Sequence, residues 1–201
     1  MSLITVEEKF NPIYCQKAGL DTNNLDSLYK YYFDEFSKNY IEYNPYTEAI
    51  WEEGYIITNN YDSIAGKIKK KRTFGPLIKI RFIPDDLDKK LRYTAYDLAS
   101  FRKGNFSYYS KELDGYMTFV RYIETGKVDL IETDFSFSVR PKPLFYLQKT
   151  DNIVLVKRRS FKKIARTFFA DYPKLINKID KKVFVFEDLR IIIKIYNERS
   201  R

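Results

Sequence analysis

Gly54-Tyr-Ile-Ile-Thr58-Asn59-Asn60-Tyr61-Asp62-Ser63-Ile-Ala-Gly66-Lys67-Ile68 decides the fold class of this 201-residue chain. Two short β-prone runs, residues 54–58 and 63–69, flank four turn formers. Asn and Asp tolerate the left-handed backbone that a tight hairpin demands. The same grammar repeats downstream. Residues 77–83 alternate, with Ile78, Ile80 and Phe82 on one face and Lys79 and Arg81 on the other, until Pro84-Asp85-Asp86 ends the run. Residues 100–102 and 106–109 bracket Lys103-Gly104-Asn105. Residues 117–124 and 128–135 bracket Thr125-Gly126-Lys127, and residues 144–148 and 153–156 bracket Thr150-Asp151-Asn152. Turns at such regular spacing predict an antiparallel sheet of about 7–9 strands, either a barrel or a sandwich.

Helical periods flank this β body. Leu25, Leu28, Tyr29, Tyr32, Phe33, Phe36 and Tyr40 trace one helix face, capped by Asn23 or Asn24 and stopped by Asn44-Pro45. Ser160 is placed to cap a second helix that carries Phe161, Ile164, Ala165, Phe168 and Phe169, expected to be core residues docking this helix on the sheet. Pro173 opens a third with Leu175, Ile176 and Ile179. Glu187 and Asp188 suit a fourth start, although Ile191 and Ile195 make that segment apolar nearly all round and leave a strand open. The order implies an α+β chain: a helical segment over 1–50, an antiparallel β body over 51–159, and a helical cap over 160–201 packed into one compact domain with it.

Charge is unevenly divided along the chain. The net +9 is the balance of −4 over residues 1–50, +2 over 51–139 and +11 over 140–201. A basic end of this kind attracts phosphate, anionic lipid or an acidic protein. Lys157, Arg158, Arg159, Lys162, Lys163 and Arg166 cluster around the start of the second helix and form the candidate polyanion-binding residues. A second basic run, Lys67-Ile-Lys69-Lys70-Lys71-Arg72, lies in the β body. Interleaved Tyr and Phe allow base stacking on a sheet, but they follow core periodicities and no nucleic-acid recognition motif is present.

Absent residues narrow the chemistry. The chain has no histidine and a single cysteine, Cys15, which excludes His-activated nucleophiles, His-containing zinc sites and internal disulfides. No Walker loop and no Gly-x-Gly-x-x-Gly occurs. Asp85, Asp86 and Asp88 read as a solvated turn, and Glu132 with Asp134 as the wet face of a strand. No catalytic, metal or cofactor residue is therefore assigned. No run of apolar residues is long enough for a membrane-spanning helix. The opening Met-Ser-Leu-Ile-Thr-Val-Glu-Glu lacks an export signal's basic start and apolar run, which fits either a cytoplasmic protein or a periplasmic or envelope protein whose signal has been removed.

Several short motifs resemble a family of uncharacterised exported proteins common in Bacteroidota. The resemblance covers residues 51–197 and runs through Gly54-Tyr-Ile, Tyr61-Asp62-Ser63 where that family has Gly-Asp-Thr, and Gly66-Lys67-Ile68. It continues with Ile80-Arg81-Phe82, Tyr93, Asp97-Leu98, Phe101, Glu124-Thr-Gly126-Lys127, Phe168-Phe169-Ala-Asp171-Tyr-Pro173 and Ile-Tyr196-Asn197. The resemblance implies a fold and an envelope location but no activity. The expectation is a non-enzymatic binding or scaffold protein of the envelope, with a protein or envelope component as partner. The alternative is a single-stranded nucleic-acid or polyanion binder.

Overall fold

The computed structural model describes residues 24–39, 50–71, 78–133 and 143–199. The chain is α+β and divides into two compact units, one built of strands and one of helices. Asn23, Tyr40, Asn44-Pro45, Cys15, Asp134 and Arg72 lie outside the described residues.

The strand unit is a ten-stranded antiparallel sheet that curls into a half-barrel. Its strands are β1 (Glu52–Thr58), β2 (Ser63–Lys71), β3 (Lys79–Pro84), β4 (Leu91–Tyr93) and β5 (Leu98–Lys103). They continue as β6 (Phe106–Leu113), β7 (Tyr116–Glu124), β8 (Asp129–Thr133), β9 (Leu144–Lys149) and β10 (Asn152–Val156). In space the order is β10-β9-β8-β7-β6-β5-β1-β2-β3-β4, so β5 pairs with β1 and the β2–β3–β4 meander extends from its other side. β4 has no counterpart in the sequence reading, because three residues carry no periodicity. Its register to β3 defines it: Ile80 opposes Tyr93, Arg81 opposes Arg92 and Phe82 opposes Leu91.

Alternation sorts the side chains. Ile56, Ile68, Ile80, Phe82, Phe101 and Phe119 share one face and form a buried cluster, with Phe119 edge-on to Phe101 at 4.8 Å. A second cluster, Leu113, Val120, Ile131 and Tyr146, occupies the opposite face of β6–β9. The strands between the clusters are thus buried on both sides, and Thr118, Phe119 and Val120 of β7 are buried in succession. The Tyr146 hydroxyl donates to Asp114 at 2.8 Å, and burial together with that carboxylate pushes the phenol well above its ordinary range.

Gly54 and Gly66 face each other across β1 and β2. A Cβ at Gly54 would stand 1.8 Å from the Arg102 carbonyl oxygen, and one at Gly66 would stand 2.2 Å from that of Ile83. Neighbouring backbones approach too closely there for any side chain, which is the use of a strand glycine at a bend. In the β1–β2 turn the left-handed residue is Tyr61 (φ 66°), not Asn or Asp. The Asn59 amide is engaged elsewhere, donating to the Tyr96 carbonyl at 2.8 Å, while the Thr58 carbonyl accepts the Tyr61 N–H at 2.9 Å.

The helical unit contains α1 (Leu25–Asn39), α2 (Phe161–Phe168), α3 (Pro173–Asp180) and α4 (Leu189–Arg199), together with residues 124–128. Asn24 caps α1, its side-chain oxygen accepting the Asp26 and Ser27 N–H groups at 3.1 and 3.4 Å. Leu25, Leu28 and Tyr32 are buried, whereas Phe33 at the stripe's edge is half exposed and stacks on Tyr29. Ser160 ends a 3-10 turn and makes no side-chain cap to α2; Phe161, Phe168 and Phe169 are buried and Ile164 is intermediate. The last segment is a helix, and its all-round apolar character matches its burial: Ile191, Ile192, Ile193, Ile195 and Tyr196 are all enclosed.

Two expectations follow. Gly66→Ala must displace β3 and should lower stability by about 1–3 kcal/mol, the usual cost of overpacking, measured as a reduced urea midpoint. An unchanged midpoint would contradict the close approach. The Tyr29 hydroxyl donates to Asp188 at 2.9 Å, and its pKa is pushed from 10.0 up to about 12, first by burial and then by that carboxylate. A folded-state pKa above the unfolded value makes this contribution complete below pH 10 and lost as pH rises towards about 12. Tyr29→Phe should therefore be less stable than wild type at pH 8, with the difference shrinking through that alkaline window. A constant difference from pH 8 to 12 would refute it.

Candidate polyanion-binding surface

Period-two alternation splits the basic run of β2. Lys70 points with Ile68 to the core side, is buried, and holds its ammonium 4.6 Å above the Tyr108 ring. Lys67 and Lys69 occupy the opposite, solvent side of the strand. Antiparallel register then adds the neighbouring strands: Lys69 opposes Arg81, Lys71 opposes Lys79, and Arg81 opposes Arg92. Lys69, Arg81 and Arg92 thus form a cross-strand row of like charge on three adjacent strands. None of the three, nor Lys79, has an ion-pair partner among the described residues. On this part of the face Glu53 is the acidic contribution, 3.7 Å from Lys67 and largely exposed. Asp85, Asp86 and Asp88 are exposed in the turn beyond Pro84, as the sequence implies.

The core side treats charge differently. Lys103, with 7% of its side chain exposed, pairs with Glu52 at 2.6 Å. Arg121 grips Glu132 through two donors, with the Nε contact at 2.9 Å, and its guanidinium lies 4.8 Å from the Phe106 ring centroid. Glu132 is therefore a buried ion-pair partner and not the wet-face residue read from sequence. Alternation assigned its face, but only the fold shows that this face is closed. Buried charges held in such pairs are structural by default, since removal of one partner strands the other.

The helical basic cluster is engaged in part. Arg158 pairs with Glu187, Arg166 with Asp180 at 3.0 Å, and the Lys162 ammonium donates to the Asp180 carbonyl at 2.9 Å. Arg159 and Lys163 are exposed and make no ion pair among the described residues. Lys157 is exposed at the end of the strand unit. The sequence singles out these six by proximity along the chain and cannot show that Asp180 and Glu187 return to them.

Three of the quoted motifs meet within the helical unit. The Lys127 ammonium donates to Asp171 at 2.5 Å, which raises its pKa, and the Tyr196 hydroxyl donates to Asp171 at 2.8 Å. The Asn197 side chain both accepts from the Val128 N–H at 2.9 Å and donates to the Val128 carbonyl at 2.8 Å. Gly126 lies against that amide: a Cβ there would stand 2.6 Å from Asn197 Cγ. Asn197 is buried with its amide spent on the chain itself, which marks that contact as structural, whereas Lys127 and Asp171 beside it are exposed. Among the described residues no group of acidic residues is arranged to hold a metal, and no helix is long and apolar enough to cross a membrane. Comparisons with protein-family models, curated proteins and solved structures return no match to this chain.

Like charges directly opposite one another in a sheet are destabilising. Arg81 stands between two of them, so Arg81→Thr should raise the thermal midpoint at low salt. The gain should shrink towards zero near 1 M salt, where the Debye length falls to about 3 Å. A destabilised variant at low salt would show that Arg81 has a compensating partner.

Proposed function

We propose that this protein is a non-enzymatic binding protein that holds a polyanion against the solvent face of β2, β3 and β4. The observation that carries the reading is the row Lys69, Arg81, Arg92, three cations set opposite one another without anions among the described residues. Such a row costs the free protein stability, and an anion laid across it converts that cost into affinity. Net charge acts in the same direction: at +9 the chain attracts anions over a distance before any contact forms.

Rigidity favours this face over the helical cluster. Sheet hydrogen bonds fix the backbone that carries the lysines and arginines, so only their side chains must be ordered on binding. At the start of α2 an incoming anion would instead compete with Asp180 and Glu187 for Arg166, Lys162 and Arg158. Polyanions from an envelope component or an acidic protein partner belong to the same reading.

Heparin is a suitable probe because it supplies dense charge without bases. The protein should bind it at about 0.05 M salt, with log affinity falling linearly in log salt as counterions are released. Combined Lys69→Ala, Arg81→Ala and Arg92→Ala should weaken binding by about tenfold or more, equivalent to at least 1.4 kcal/mol. Combined Lys162→Ala and Lys163→Ala should leave it nearly unchanged. No binding to heparin, or a greater loss in the helical variant, would overturn the proposal.

A further inference from the structure

Resting on the polyanion reading, we infer that the ligand is a single-stranded nucleic acid, with its phosphates on this cationic face and a base against Tyr55. Along β2 the cations recur at every second residue, a repeat of about 6.8 Å at 3.4 Å per residue. That step suits successive phosphates of an extended strand. Across the sheet, Lys69, Arg81 and Arg92 are separated by about 4.8 Å per strand, so a curving sugar–phosphate backbone finds a cation on either side.

Beside the cations lies an aromatic. Tyr55 is on the same face of β1, where it opposes Ala65 on β2 and Arg102 on β5. Ala65, two residues before Lys67, is exposed and small, so it gives a planar group access to the Tyr55 side chain. Tyr55 makes no ring contact among the described residues. Arg102, which Tyr55 opposes on β5, is exposed and donates its Nε to the Gly104 carbonyl at 3.0 Å, adding a further cation to this face. Phosphate-binding cations flanking an aromatic that can stack are the two ingredients of sequence-tolerant single-strand binding. An anionic membrane would gain nothing from apolar insertion here, since no large hydrophobic residue is exposed on this face of β2, β3 or β4.

The test compares a fluorescein-labelled 15-mer of dT, an abasic sugar–phosphate strand of equal length and a heparin fragment, by anisotropy between about 0.05 and 0.3 M salt. The dT strand should bind tighter than the abasic strand. Tyr55→Leu should weaken dT binding by about tenfold and leave heparin binding unaltered, while Tyr55→Trp should retain dT affinity. Removing Lys69, Arg81 and Arg92 together should flatten the dT salt slope by about 2, at roughly 0.7 per lost phosphate contact. Equal binding of abasic and dT strands, or preference for a duplex, overturns the nucleic-acid inference and leaves the polyanion proposal standing. Failure of all three probes to bind overturns both. Thermal melts of the Tyr55 variants verify that each is folded.

Discussion

A carbon atom added at Gly54 or Gly66 would collide with a carbonyl oxygen of the adjacent strand, Arg102 in one case and Ile83 in the other. β5 and β3 therefore close in on the β1–β2 pair at a distance that only hydrogen side chains permit. The bend turns one face of these strands inward, where Ile56, Ile68, Ile80, Phe82 and Phe101 lose contact with water. Burying each such side chain contributes about 1.5–3 kcal/mol, which is ample to hold the alternation in register. Register in turn places Lys69, Arg81 and Arg92 side by side on the other face. The cationic row is thus a consequence of the same packing that forms the core.

Charge is handled in opposite ways by the two units. In the helical unit nearly every cation near a carboxylate is drawn to it: Lys178 to Asp26 at 2.6 Å, Arg190 to Glu124 at 2.8 Å, Lys127 to Asp171. Burial also raises the Glu35 pKa, against the opposing pull of Lys194. On the solvent face of β2–β4 the cations instead face one another. Exposed ion pairs contribute little to stability, so their presence among the helices needs no functional explanation. A face of unopposed like charge does need one.

Much of the fold was legible in the chain because hairpins advertise themselves locally. Turn residues and alternation located nine of the ten strands, and the i, i+3, i+4 stripes located the helices of residues 25–39, 161–168 and 173–180. Segment 189–199 stayed ambiguous because Ile191, Ile192, Ile193 and Ile195 fill most of its circumference and leave only the narrow polar edge of Arg190, Lys194 and Glu198 to set its period. β4 was too short to read, and with it went Arg92, the end of the cationic row. The candidate surface was only half legible. Lys67, Lys69 and Lys71 stood out as a basic run, but their union with Arg81 and Arg92 depends on strand register, which links residues distant in sequence. Within the helical cluster the pairing of Arg166 with Asp180 and of Arg158 with Glu187 was not legible either, because those partners lie well downstream.

Where a polyanion touches the protein tests this account most directly. Backbone amide chemical shifts of isotope-labelled protein, followed during a heparin titration at low salt, report every segment at once. The account predicts that the largest changes fall on residues 65–71, 79–83 and 91–93, with residues 158–166 essentially still. Changes concentrated in 158–166 with a silent β2–β4 face would contradict it.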